Sequence, residues 1–185
     1  MQPLRREGSL ADVQEYVARL EAERGLAGLG LQSQCLKLVE EVGELAAAAL
    51  SAPDQIPGEC VDVLILLASV ANRAGVSLHR ALADRFSGGE VPALQGLAAQ
   101  AIVGELAEAD LKELSVRAAI ETGELCRAVL KLGGGPSDPQ GRTVDLAQEC
   151  AALVLVVAAF AFRRGFDLAE AFRAKEQLNN RRVWR

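Results

Sequence analysis

Residues 36–45 read LKLVEEVGEL, which places Glu40, Glu41 and Glu44 within about one helical turn. Like charges at that spacing destabilise a helix by roughly 0.2–0.5 kcal/mol per pair. A second acidic pair, Glu59 and Asp62 in ECVD, follows after a short break. On a helix Glu40 and Glu44 are i,i+4 neighbours, Glu41 and Glu44 are i,i+3, and so are Glu59 and Asp62. Several carboxylate oxygens without sulfur or nitrogen suit a hard divalent cation, Mg²⁺ or Mn²⁺. Asp62 is the most informative of them. It stands between Val61 and VLILL, on the side shared with Ile65 and Leu66. A carboxylate there is costly unless its desolvation is offset, and a divalent cation would offset it. A plainer reading makes Glu40 and Glu41 a solvated face, with Lys37 paired to Glu41, and makes Glu59 a favourable charge at a helix N-terminus. That reading leaves Asp62 unexplained.

Helices must position these acids. Ser9 can cap a helix from Leu10 to about Arg24, with Val13, Tyr16, Val17 and Leu20 on its apolar face. GLAGLG breaks it, and a long helix runs from about Leu31 to Ser51. APDQIPG is a turn, so the next helix, from near Gly58 to Arg73, runs back antiparallel, and up to five carboxylates meet at that end of the hairpin. NRAGVS ends it, and Ser77 caps a short helix to about Phe86. SGGEVP reads as a linker. Further helices are predicted over about Pro92–Glu108, Leu111–Lys131 and Val144–Arg164, with a last one starting near Asp167 as N-cap. No strand is predicted; LVLVV is embedded in a longer Ala-rich segment.

The residues repeat along with the elements. EVGELAAAAL matches ETGELCRAVL, and ECVDVLILLASVANRAGVSLHRAL matches ECAALVLVVAAFAFRRGFDLAEAF. The expectation is one all-α domain over residues 1–185. It is a helical bundle of two tandem units related by a pseudo-two-fold: repeat one over 9–86, a linker over 87–91 and repeat two over 92–185. In the second copy Ile120 stands where Glu40 does and Ala152 where Asp62 does, while Glu121, Glu124 and Glu149 remain.

The 185 residues are half apolar and carry a net charge of −5, with no long basic run. That argues against nucleic acid as a partner, because backbone binding needs clustered Lys and Arg. Cys35, Cys60, Cys126 and Cys150 form no CxxC pair, and His79 is the only histidine. They read as reduced, buried thiols of a cytoplasmic protein rather than as a zinc site. The N-terminal stretch lacks the apolar region of a signal peptide. The apolar runs 63–71 and 151–162 are shorter than the roughly 18 residues of a membrane span, so they read as the innermost helices of the bundle.

Glu40-Glu41-x-x-Glu44 followed by Glu59-x-x-Asp62 on the next helix resembles the EExxE…ExxD signature of the MazG-like, all-α NTP pyrophosphohydrolases. Lys175-x-x-x-Asn179-x-x-Arg182 resembles the basic and amide motif that follows the last helix in that superfamily. With both copies the likeness covers nearly the whole chain. It implies Mg²⁺, or Mn²⁺, held by Glu41, Glu44, Glu59 and Asp62. Glu40 and Glu41 are then the catalytic candidates, Glu40 as a further ligand or as the group that positions water. Lys37, Lys175, Asn179 and Arg182 would meet the phosphates of a nucleoside triphosphate, and the products would be the monophosphate and pyrophosphate. Because copy one lacks the tail and copy two lacks the full acid set, one composite site is expected. Trp184 could stack on a base or pack on the bundle. The alternatives are a weak or inactive nucleotide-binding relative and a phosphoribosyl-ATP-type pyrophosphohydrolase. No membrane partner is expected, and a homodimer stays open.

Overall fold

The computed structural model describes residues 4, 7–86, 89–100, 106–135 and 145–181, the side chains of 180 and 181 excepted. Among these residues the fold is all-α. The helices are α1 (Leu10–Glu23), α2 (Leu31–Ser51), α3 (Ile56–Ala74), α4 (Leu78–Arg85), α5 (Leu94–Gln100), α6 (Leu111–Leu132), α7 (Leu146–Arg164) and α8 (Leu168–Arg181).

Local chemistry sets the helix ends. The Ser9 hydroxyl accepts from the Asp12 N–H, and the Asp12 carboxylate accepts from the Ser9 N–H, so two orphan donors are satisfied. Asp110 and Glu113 do the same for α6. Ser77 caps α4 and Asp167 caps α8, as their residue types predict. α3 and α7 both stop at a left-handed glycine, Gly75 at φ 69° and Gly165 at φ 66°; a side chain there would be strained. Three boundaries differ from expectation, one being the start of α7 at Leu146, after its N-cap Asp145, rather than near Val144. A 3₁₀ turn over Pro53–Gln55 leads directly into α3, which begins at Ile56 rather than near Gly58. The predicted helix from Pro92 is described only as α5, Leu94–Gln100, and Glu108 belongs to a turn before α6.

α2 packs most extensively on α3 and α6, and α6 packs on α7. α3 and α7 also meet, which closes a four-helix centre. Every residue of α7 from Cys150 to Ala161 is buried. By length and composition this 19-residue helix could cross a bilayer, yet 72% of its most apolar window is buried inside the protein. The apolar run is shorter than a span, as expected; the helix containing it is not. The short helices then exchange sides: α4 packs on α7, and α8 packs on α3. α8 buries Leu168, Phe172 and Glu176. The Phe172 ring meets Tyr16 of α1 edge-on at 5.3 Å, and Glu176 accepts from the Leu4 N–H at 3.1 Å.

A polar hub ties the first half together. Arg73 pairs with Glu21 at 2.8 Å, both side chains being nearly buried at 13% and 12% exposure. Its guanidinium also donates to the carbonyls of Leu26 and Leu29, so the GLAGLG loop is held to α3. Removing Arg73 would leave the nearly buried Glu21 carboxylate without its ion-pair partner, with the Ser69 hydroxyl still donating to it. Arg73→Met should therefore cost about 3 kcal/mol in denaturant unfolding. Arg19→Met, which breaks an exposed pair with Glu15, should cost less than about 1 kcal/mol. Equal losses would show that the hub carries no special share of stability.

Candidate metal centre

α2 and α3 run antiparallel through the short turn at residues 52–55, so the end of one faces the start of the other. This brings Glu41, Glu44 and Glu59 together, each offering one carboxylate oxygen within 4.8 Å of the others. Among the described residues no other group of three or more His, Cys, Asp or Glu meets that geometry. Glu44 is exposed and the other two are half-buried. The position of Glu59 reflects its place in the first turn of α3, where the helix dipole favours an anion.

The electrostatics are those of a crowded, partly dry site. Burial pushes the Glu41 carboxyl above its ordinary range, the nearby Asp62 charge adds to this, and Lys37 opposes it. Burial likewise raises Glu59, with Asp62 and Glu44 adding and Lys175 opposing. One oxygen of Glu59, Oε2, is buried and accepts no hydrogen bond from any described residue. Such an atom calls for a donor or a cation. An all-oxygen set with an orphaned carboxylate oxygen fits Mg²⁺ or Mn²⁺.

Asp62 departs from the expected arrangement. It lies close enough to raise Glu41 and Glu59 but is outside the three-oxygen group. The Lys175 ammonium from α8 pairs directly with Asp62 Oδ2, and the two side chains are 14% and 19% exposed. The partial burial of Asp62 therefore does not by itself require a metal, because a lysine supplies the positive charge. Sequence reasoning missed this pair, since the two residues lie 113 positions apart. Lys37 meets Glu40 at 2.8 Å and Glu41 at 3.5 Å, so Glu40 is its nearer partner. Glu40 itself is exposed on the outer side of α2. Asn179 lies half-buried on α8, about one turn beyond Lys175. Arg182 and Trp184 lie outside the described residues.

The second acid set is poorer. Burial raises Glu149, Glu121 adds to this by charge and by a shared hydrogen bond, and Arg85 opposes it. Glu124 pairs with Arg127 at 3.0 Å. Ile120 is exposed and Ala152 is buried, so neither supplies an oxygen. Arg85 stands ten residues after Gly75, just as Lys175 stands ten after Gly165. That shared spacing was the available signal that each cation approaches acids of the other half.

Comparison with known protein families, with curated proteins and with solved structures finds no match.

Two measurements follow from this geometry. Calorimetric Mn²⁺ titration should show binding that Glu59→Gln abolishes and Glu149→Ala leaves within about twofold. Lys175→Met should tighten that binding by about tenfold, roughly 1.4 kcal/mol, because it removes a competing positive charge. Unchanged affinity in Glu59→Gln would disprove the assignment. The second measurement uses pH. The Glu59 carboxyl is raised above its ordinary value of 4.5 in the folded protein. Its contribution to stability is thus full below that value and is lost as pH rises through the raised folded value. Glu59→Gln cannot ionise, so its melting temperature should gain on wild type as pH rises from about 4 to about 7 without metal. A constant difference across that range would show that Glu59 is not destabilised by ionisation.

Proposed function

We propose that this chain is a Mg²⁺-dependent nucleoside triphosphate pyrophosphohydrolase of the MazG-like type, acting in the cytoplasm on the nucleotide pool. The observation that carries the reading is the convergence of Glu41, Glu44 and Glu59, the last with one buried carboxylate oxygen lacking a hydrogen-bond partner among the described residues, close to the Asp62–Lys175 pair. It gathers the residues that resemble the superfamily's acidic signature with the first residue of its basic motif. In this reading the two halves are related by a pseudo-two-fold, and one composite site uses acids from the first half and cations from the second.

Bound Mg²⁺ would supply Lewis-acid neutralisation of the polyphosphate charge. The protein's share is positioning and proton handling. Glu41, whose carboxyl is already raised by burial, can accept a proton from water aligned for in-line attack on the α-phosphorus. Glu40, held by Lys37, can orient that water from the outer side of α2. Lys175 has a second role open to it: when a cation satisfies the carboxylates, its ammonium can move from Asp62 to a phosphate oxygen. Asn179 and Arg182 follow it in the sequence and can extend the grip, and Lys37, beside Glu40 and Glu41, is a further candidate for the phosphates.

The Asp62–Lys175 pair also favours a second reading, a weak or inactive nucleotide-binding protein in which the lysine stands permanently in for a cation. Kinetics separate the two. With Mg²⁺ and a panel of natural and damaged nucleoside triphosphates, pyrophosphate should be released. Glu59→Gln should lower kcat/KM by about a hundredfold or more, and Lys175→Ala by about tenfold with little change in melting temperature. Nucleotide binding without pyrophosphate release across the panel would support the inactive reading. Release of orthophosphate instead would put the cleavage at a different bond.

A further inference from the structure

Cys35 of α2 and Cys126 of α6 face each other with their sulfurs 3.0 Å apart. Both are free thiols; Cys35 is buried and Cys126 is half-buried. The contact joins the first part of α2 to the last part of α6, across 91 positions of sequence. The other two cysteines lie within α3 and α7 and are completely covered. Packing alone does not require this sulfur pair. By the offset that aligns EVGELAAAAL with ETGELCRAVL, Cys126 corresponds to Ala46 and Cys35 to Ser115. The matching positions thus carry small side chains without thiols.

We propose that Cys35 and Cys126 form an oxidation site, in which a hydroperoxide converts the two thiols into a reversible disulfide that bolts α2 to α6. The pair is polarised for this chemistry. The Cys35 S–H can donate to the more accessible Cys126 sulfur, which holds the Cys126 thiol below its ordinary range, while the same contact and burial push Cys35 up. Cys60 and Cys150 are raised by burial and stay inert. The Cys126 thiolate attacks the peroxide O–O bond, giving a sulfenic acid at Cys126 and releasing an alcohol, or water from hydrogen peroxide. The Cys35 sulfur then attacks the sulfenic sulfur. The S–S bond forms, the hydroxyl leaves as water with the Cys35 proton, and two electrons have passed from the thiols to the peroxide. The sulfurs need only close from 3.0 Å to the roughly 2.05 Å of a disulfide. This inference is independent of the proposed nucleotide chemistry.

The test treats the reduced full-length protein with a small excess of hydrogen peroxide, blocks remaining thiols and digests with trypsin without reductant. Cys35 lies in the tryptic peptide 25–37 and Cys126 in 118–127, whereas Cys60 and Cys150 lie in others. The expected product is a disulfide-linked pair of those two peptides from monomeric protein, lost on adding dithiothreitol. The oxidised protein should melt about 5–10 °C higher, because the link closes a long loop of the unfolded chain. Cys126→Ser should yield neither the linked pair nor the rise, and Cys35→Ser, which removes the resolving sulfur but keeps a donor beside Cys126, should leave Cys126 as a trappable sulfenic acid. Any of three results would overturn the proposal: sulfinic acid at Cys126 of wild type without cross-linking, links between chains in place of the internal one, or oxidation that reaches Cys60 or Cys150 first.

Discussion

Carboxylates crowded at one end of a helical hairpin repel one another, and much of the molecule's arrangement answers that repulsion. Two unit charges about 5 Å apart oppose each other by about 3 kcal/mol at an effective dielectric constant near 20. Glu41, Glu44 and Glu59 stand at that kind of distance, with Asp62 close by. Burial first, and the neighbouring carboxylate charges after it, raise the carboxyls of Glu41 and Glu59. Lys37 relieves the repulsion from within α2, and α8 brings Lys175 to Asp62. The exchange of the short helices, α8 onto α3 and α4 onto α7, is what makes that delivery geometrically available.

The core permits this because its side chains are small. The buried positions of α3 and α7, which pack on each other, are filled mostly by Ala, Val, Leu and Cys, and α7 is buried on all sides along most of its length. Small side chains fill most of these buried positions, in keeping with the low aromatic content. Among the described residues an aromatic contact, Tyr16 with Phe172, lies where α1 meets α8. Together with the Glu176 contact to Leu4, it fixes the rotation of α8 and so aims Lys175 at α3.

Local features were readable in the sequence because their causes are local. Ser9, Ser77 and Asp167 cap helices where their types and spacing placed them, and Gly75 and Gly165 end helices in the left-handed region. The hairpin gathering of Glu41, Glu44 and Glu59 followed from helical periodicity and a short turn. The partners of Asp62, Arg73 and Cys35 were not readable. Each is a contact between segments tens of residues apart, and no spacing rule along one helix encodes which distant helix lies beside it. Asp62 shows the consequence. Its burial suggested a divalent cation, while the fold supplies a lysine.

The exchange of α4 and α8 also bears on how the chain comes off the ribosome. A nascent first half, residues 9–86, has α3 made but its α8-facing side uncovered, and α4 made but nothing like α7 to rest on. Neither half finishes its core alone. Until the last helix emerges, apolar surface stays open to water and to chaperones, and contacts that span more than a hundred residues must form late. Emergence of α8, rather than of residues 9–86 alone, is thus the event that closes the acidic end of the hairpin.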